Sequence, residues 1–355
     1  MRRRAMVGVF AVAALVWPLL TPKSYHFYGT LSAVYALVGL SLIILVGWTG
    51  QISLGHAAFL GFGAYIGQKL LANGVPVLPA ILLVAAFGAV ISLALGVPSL
   101  RLRGVYLTIA TLAFGAACQH YFFALNSIRG YHASVVPRPP IFGLSITSNR
   151  GLYYLVLAVF GLAAFIAHNL RRTDAGRALF AIRDSEDAAQ AMAVRIAPYK
   201  VAAFALSAAI ATMAGLFYGM LYQATPGADQ FGVLQSLFLL SMPVLGGTGS
   251  LFGAVIGGAF LATAQPLVNL FHVRIYLASS AALIVVLLSG FDGITGMLST
   301  LGHAVRTAMG APETARYGSF VPEAEAAATP RVRVRLAGAP RRGVLRARIV
   351  TRSGT

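Results

Sequence analysis

Five polar side chains lie against apolar surroundings: Gln51, Ser53 and His56 at the entrance of one apolar run, and Thr108 and Thr111 inside another. Hydrocarbon offers such groups no partner, so polar residues near membrane depth are functional candidates by default. These five can donate and accept hydrogen bonds along a path for a polar solute. Equally, they can satisfy their own backbone or a neighbouring helix. Ser53 is placed to cap the helix that follows it, and Thr108 and Thr111, three apart, share one helix face. Nothing in the chain is arranged for bond chemistry. There is no GxxxxGK[ST] run, no HExxH, no GxSxG and no acid pair, and the seven histidines have no metal-ligand spacing. No catalytic residue or metal site is assigned, and any ATP hydrolysis falls to another chain. The single cysteine, Cys118, sits in an apolar run and reads as a packing residue.

Where the carboxylates stand narrows the reading. All nine acids, Asp174, Asp184, Glu186, Asp187, Asp229, Asp292, Glu313, Glu323 and Glu325, fall outside the apolar runs. Ion-coupled transporters usually bury a carboxylate as relay or ligand, so a stand-alone secondary transporter or channel is the second-ranked reading. Four of these acids lie in a polar island, RRTDAGRALFAIRDSEDAAQAMAVRIAPYK, from Arg171 to Lys200. It is too long for a simple turn. Asp184 or Ser185 can cap a short helix whose first turn holds Glu186 and Asp187, favoured by the helix dipole. Ala188, Ala189, Ala191 and Met192 give that helix a smooth apolar surface, ringed by Arg177, Arg183, Asp184 and Glu186. Pro198 bars an uninterrupted continuation into the next span. An apolar face on a polar loop points to a docking knob lying along the membrane, against the plainer reading of a solvated loop.

The elements that must position these groups are apolar runs. The chain is 58% hydrophobic and only 10% charged over 355 residues, against about 25% charged in soluble domains. Lipid is therefore its main solvent. Ten runs reach toward span length, which is about 20 residues: 5–21, 30–47, 54–72, 76–97, 104–125, 151–168, 200–222, 232–247, 250–271 and 274–290. The 232–247 run holds Pro243 and reads as a broken or half-length helix, so eight to ten spans are expected. The first run follows Arg2, Arg3 and Arg4 without a small-x-small cleavage site and reads as an uncleaved span. Ten spans with both termini inside put Arg101, Arg103, the Arg171–Lys200 island and an Arg-rich tail in the cytoplasm, as the positive-inside rule requires. The net charge of +18 is thereby explained without nucleic acid. Gly55, Gly61 and Gly63, then Gly246, Gly247 and Gly249, allow close approach of helices. The GGTGS run also suits a tight turn between two spans. The expected architecture is an all-α polytopic bundle over 1–302, with a short cytoplasmic coupling helix and a basic, disordered tail over 303–355.

Four stretches carry a resemblance: GWTGQISLGHAAFLGFGAY, PSLRLRGVYLTIATLAFG, GRALFAIRDSEDAAQAMAVRIAPYKVAAFALSA and PVLGGTGSLFGAVIGGAFL. In this order, over most of residues 31–290, they resemble the branched-chain amino-acid ABC-transporter permeases of the LivM type. The resemblance implies an inner-membrane importer of several chains: this permease, a second permease of the LivH type, two ATPase subunits that bind ATP and Mg, and a periplasmic solute-binding protein. It also implies that the Gly176–Val194 segment is the coupling loop seated on an ATPase. It does not extend to the outside loop NSIRGYHASVVPRPP or to the tail after His303.

Overall fold

The computed structural model of the chain describes residues 12–99, 105–125, 138–139, 148–224, 227–247 and 250–271. All belong to one compact unit, Met1–Ala304. The expected 274–290 span, Gly249, most of the 126–150 loop and the Arg-rich tail lie outside the described residues.

Among the described residues there are helices and turns and no strand. Helix α1 covers 12–20, α2 His26–Leu42, α3 His56–Ala72, α4 Val77–Ser99 and α5 Val105–His120. Then come α6 Asn149–Leu170, α7 Asp174–Asp184, α8 Glu186–Ala191, α9 Ile196–Tyr222, α10 Val233–Gly246 and α11 Leu251–Phe271. Among the described residues, five segments are long and apolar enough to cross a membrane: His26–Gly47, Val77–Gly96, Tyr106–Ala124, Asn149–Leu170 and Ile196–Tyr222. Helix α10 has 14 residues, with Pro243 inside it, and is the half-length element expected there. The 54–72 run shortens to the 17 residues of α3 because its first residues are not helical.

Helices α2 and α9 form the centre. α2 packs on α11, α9 and α6, while α9 packs on α3 and α4. Leu31 through Leu42 of α2 are almost all buried, which fits a helix that is apolar all round. The outer helices show the opposite. Leu82, Leu83 and Val90 of α4, Tyr106 and Ile109 of α5, and Leu162, Phe165 and Ile166 of α6 are exposed. Apolar side chains turned outward in this way are solvated by lipid tails.

Small residues set the crossings. A Cβ on Gly63 would collide with the Thr212 carbonyl and stand 2.9 Å from the Gly215 Cα, so α3 and α9 meet backbone to backbone. One on Gly246 would strike the Gly253 carbonyl, joining α10 to α11, and one on Gly258 would come within 2.9 Å of the Ala36 Cα of α2. Gly61 faces rings instead, with Phe123 and Phe231 at 2.7 and 2.9 Å from its notional Cβ. Without a hydrophobic drive between helices in lipid, contact at this range is what holds a bundle. Gly247 serves a different purpose from its neighbours. Its φ of +96° ends α10, a conformation a Cβ would oppose.

Candidate functional site

The centre of interest is where α2 stops and α3 starts. From Ile43 to Gly47 the helix widens into a π turn, a form often found at functional sites. Gly50, at φ +69°, still donates its amide to the Val46 carbonyl at 3.1 Å, and residues 51–55 then run outside any helix to the start of α3. A helix is thus interrupted inside the bundle. Irregular backbone at such depth persists only where protein or a cavity satisfies it. Here α5 does so: Thr108 Oγ1 donates to the Ile52 carbonyl at 3.2 Å, and the Leu54 amide donates to Thr111 Oγ1 at 3.1 Å. Thr111 also donates to the Thr108 carbonyl of its own helix at 2.9 Å. Both threonines are therefore clamps on the interrupted strand of chain. Gly55 makes the clamp possible, since a Cβ there would strike the Thr111 carbonyl.

Ser53 differs from expectation. It does not cap α3. Gly55 is the capping residue and no side chain bonds at that position. The amide of Ala57 is met instead by Ser236 Oγ of α10, at 3.1 Å. Ser53 is 1% exposed, and its Oγ has no hydrogen-bond partner among the described residues. His56, equally buried, bonds Ser41 Oγ of α2 through Nε2 at 2.8 Å, while its Nδ1 is unpartnered. Ser207 of α9 donates to the Ser41 carbonyl at 2.7 Å. Buried polar atoms left open are uncommon and call for an explanation. Ser53 of the interruption, with Ser41, His56, Ser207 and Ser236 from α2, α3, α9 and α10, forms a small polar seam there. Gln51 stands apart from it and lines a cavity at the end of the bundle.

The Arg171–Lys200 island folds into a two-helix bracket at that end. Thr173 caps α7 by accepting from the Gly176 amide, and Ser185, not Asp184, caps α8 by accepting from the Ala188 amide. Gly176 packs so tightly on the end of α6 that a Cβ would strike the Leu170 carbonyl. Arg177 pairs with Asp174 on the exposed side. Pro198 sits in the first turn of α9, where a missing N–H costs nothing; the helix begins at Ile196, two residues before it. The candidate apolar face of α8 divides. Ala188 and Met192 point outward, Met192 being 81% exposed, whereas Ala189 is 3% exposed and packs on the chain's own interior. The expectation that Ala189 joins the outer face is therefore corrected: a six-residue helix lying on the bundle must bury one side.

The bracket is bonded to the interruption. Arg183 Nη1 donates to the Gly47 carbonyl at 2.7 Å, at the end of the π turn where that carbonyl has lost its helical partner. Phe180 packs against Trp48, with ring centroids 6.0 Å apart, and Arg171 lies over the Phe180 ring. Glu186 and Lys200 form an ion pair between α8 and α9.

Several contributors escape sequence reading. Ser41, Ser207 and Ser236 are serines in apolar runs, indistinguishable there from helix-packing residues. Arg138 donates to the carbonyls of Met220 and Leu221 at 2.7 and 3.0 Å and to Asn149 Oδ1 at 3.0 Å, closing the C-terminus of α9. A cation there complements the helix dipole, although burial lowers its pKa from the ordinary guanidinium value.

Comparison with known proteins follows the same outline. Residues 25–290 match the family described as the branched-chain amino acid transport system permease component. The chain is 29% identical over 297 residues to the high-affinity branched-chain amino acid transport system permease protein LivM of Escherichia coli K12, covering 76% of this chain and 70% of that one. It is 26% identical to LivH of the same strain, over 75% and 92% of the two chains. It is 25% identical to the autoinducer 2 import system permease protein LsrC of Enterobacter sp. 638, over 77% and 81%. No solved structure matches.

Proposed function

The chain belongs to the family of permease components of branched-chain amino acid transport systems, and from that premise we propose that it carries a branched-chain or other hydrophobic amino acid across the bacterial inner membrane by alternating access. It acts as one of two permeases, beside a LivH-type chain. Separate ATPase subunits, which bind ATP and Mg, drive it, and a periplasmic binding protein selects the solute. Both termini face the cytoplasm, so α7 and α8 face the ATPases. This chain performs no bond chemistry of its own.

One contact carries the reading: Arg183 of the bracket on the Gly47 carbonyl at the interruption of α2. A force on α7 and α8 reaches, through this charge-assisted bond and the Phe180–Trp48 contact, the backbone that holds Gln51, Ser53 and His56. The open hydrogen-bonding atoms of Ser53 and His56 are suited to a polar solute or to water passing the interruption. The outward pair Ala188 and Met192 is suited to a groove on an ATPase.

The test is purification from native membrane with identification of accompanying chains, followed by reconstitution with binding protein and ATP. Two ATPases, a second permease and ATP-dependent leucine uptake are expected. A lone homo-oligomer that takes up solute without ATP would overturn the reading in favour of a secondary transporter.

A further inference from the structure

A cavity of about 460 Å³ opens at the end of the bundle that carries the bracket, within the size range of small-molecule sites, roughly 300–1,000 Å³. Its rim and floor come from three elements that bear on transport. Gln51 comes from the interruption, Glu186 from α8, and Lys200, Val201 and Phe204 from α9, with Arg195 just before α9. The Glu186–Lys200 ion pair lies in its wall, with Lys200 13% and Glu186 31% exposed. Phe204 is buried and Val201 half-buried, giving an apolar floor beside the charges.

This is a mixed-charge pocket with a greasy side. A plain anion would meet Glu186, and a plain cation would meet Lys200 and Arg195. A molecule bearing both charges, with an aliphatic group between pocket walls, opposes neither. Its carboxylate replaces Glu186 on Lys200, and its ammonium replaces Lys200 on Glu186, so one ion pair becomes two. We propose that this cavity is a product-side site for a zwitterionic aliphatic amino acid, and that its occupancy parts Glu186 from Lys200 and slows transport. The inference rests on the amino-acid transport reading and adds feedback by the delivered solute. Its mechanical basis is that Glu186–Lys200 is the ion pair joining the α8 bracket to α9 among the described residues. A bracket tied to α9 only through the bound solute, at a wider spacing than the direct ion pair, transmits ATPase closure less well.

Two readouts separate this inference from the reading beneath it. The first is equilibrium binding of radiolabelled L-leucine to the complete transporter in nanodiscs, without binding protein or ATP. The second is ATP-driven leucine uptake into proteoliposomes of the complete transporter, with and without millimolar leucine in the lumen, expressed as the ratio for each variant. Leucine should bind, with 4-methylpentanoate and leucinamide, each lacking one charge, at least tenfold weaker, and lumenal leucine should lower uptake severalfold. Val201→Trp, which fills the floor, should weaken binding at least tenfold and bring the uptake ratio to one. Lys200→Gln, which unpairs Glu186 without adding bulk, should weaken leucine binding likewise and, by the same logic, lower uptake even without lumenal leucine. Absent leucine binding, binding untouched by either variant, or binding without slowed uptake overturns the proposal. Binding of O-phosphoethanolamine but not leucine would likewise overturn it and give the cavity to a lipid headgroup. If external leucine is not transported at all, the transport reading fails, and the binding measurement still decides whether the pocket takes a zwitterion.

Discussion

A glutamate at Ala189 of α8 and one at Met192, the residue that ends it, separate internal packing from docking. Met192 is 81% exposed and Ala189 3% exposed. In the free permease, Met192→Glu changes a surface residue and should cost no more than about 0.5 kcal/mol. If an ATPase groove covers Met192, the same change forfeits the burial of a methionine, about 1.5–3 kcal/mol, and adds desolvation of a carboxylate. At 1.4 kcal/mol per tenfold, ATPase association should fall by about ten- to a hundredfold. Ala189→Glu acts elsewhere. It forces an unpaired charge into the permease's own interior, with a cost of about 3–5 kcal/mol, so α8 should lift from the bundle and permease abundance should drop. The assay is ATPase recovery on the purified permease, with uptake measured at matched abundance. Met192→Glu should give normal abundance, thermal stability and solubility with lost ATPase and lost uptake. Wild-type ATPase recovery and uptake in Met192→Glu would refute the docking role of this face.

Gly63→Leu should prevent assembly, because its side chain would occupy the space of the Thr212 carbonyl and the Gly215 Cα; the loss should appear as an aggregated peak in size-exclusion chromatography, and a monodisperse, active variant would contradict the crossing. Thr111→Val keeps the shape but removes the acceptor of the Leu54 amide, leaving a buried donor open at about 1–3 kcal/mol; lowered thermal stability with reduced uptake is expected, and an unchanged melting temperature would show that the clamp carries little. Deletion from Gly310 onward removes only the Arg-rich segment beyond the last apolar run and should leave uptake near wild type at matched abundance; complete loss would make the tail part of the transporter.

Much of the architecture was legible in the one-dimensional pattern, because lipid leaves few choices. Apolar runs of span length must become helices, since no other open structure satisfies its backbone in hydrocarbon. Pro243 marked the half-length α10, and the polar island with its Ser185 cap marked a short helix between spans. Gly63 and Gly246 were recognisable as crossing points because only a missing Cβ permits the approach. Four motif stretches in order carried the family. What the tertiary structure alone decided concerns which partner each polar group finds. Ser53 has the composition of a helix cap, yet the amide of Ala57 is taken by Ser236, some 179 residues away. The Ala188–Met192 run reads as one apolar face until the bundle buries Ala189 and leaves Met192 outside. The π turn at Ile43–Gly47 has no sequence signature, and its freed carbonyl at Gly47 becomes a site only when Arg183 arrives from 136 residues away. Hydropathy is a property of a segment and survives in any fold, whereas a hydrogen bond between distant segments exists only once packing has brought its two ends within about 3 Å.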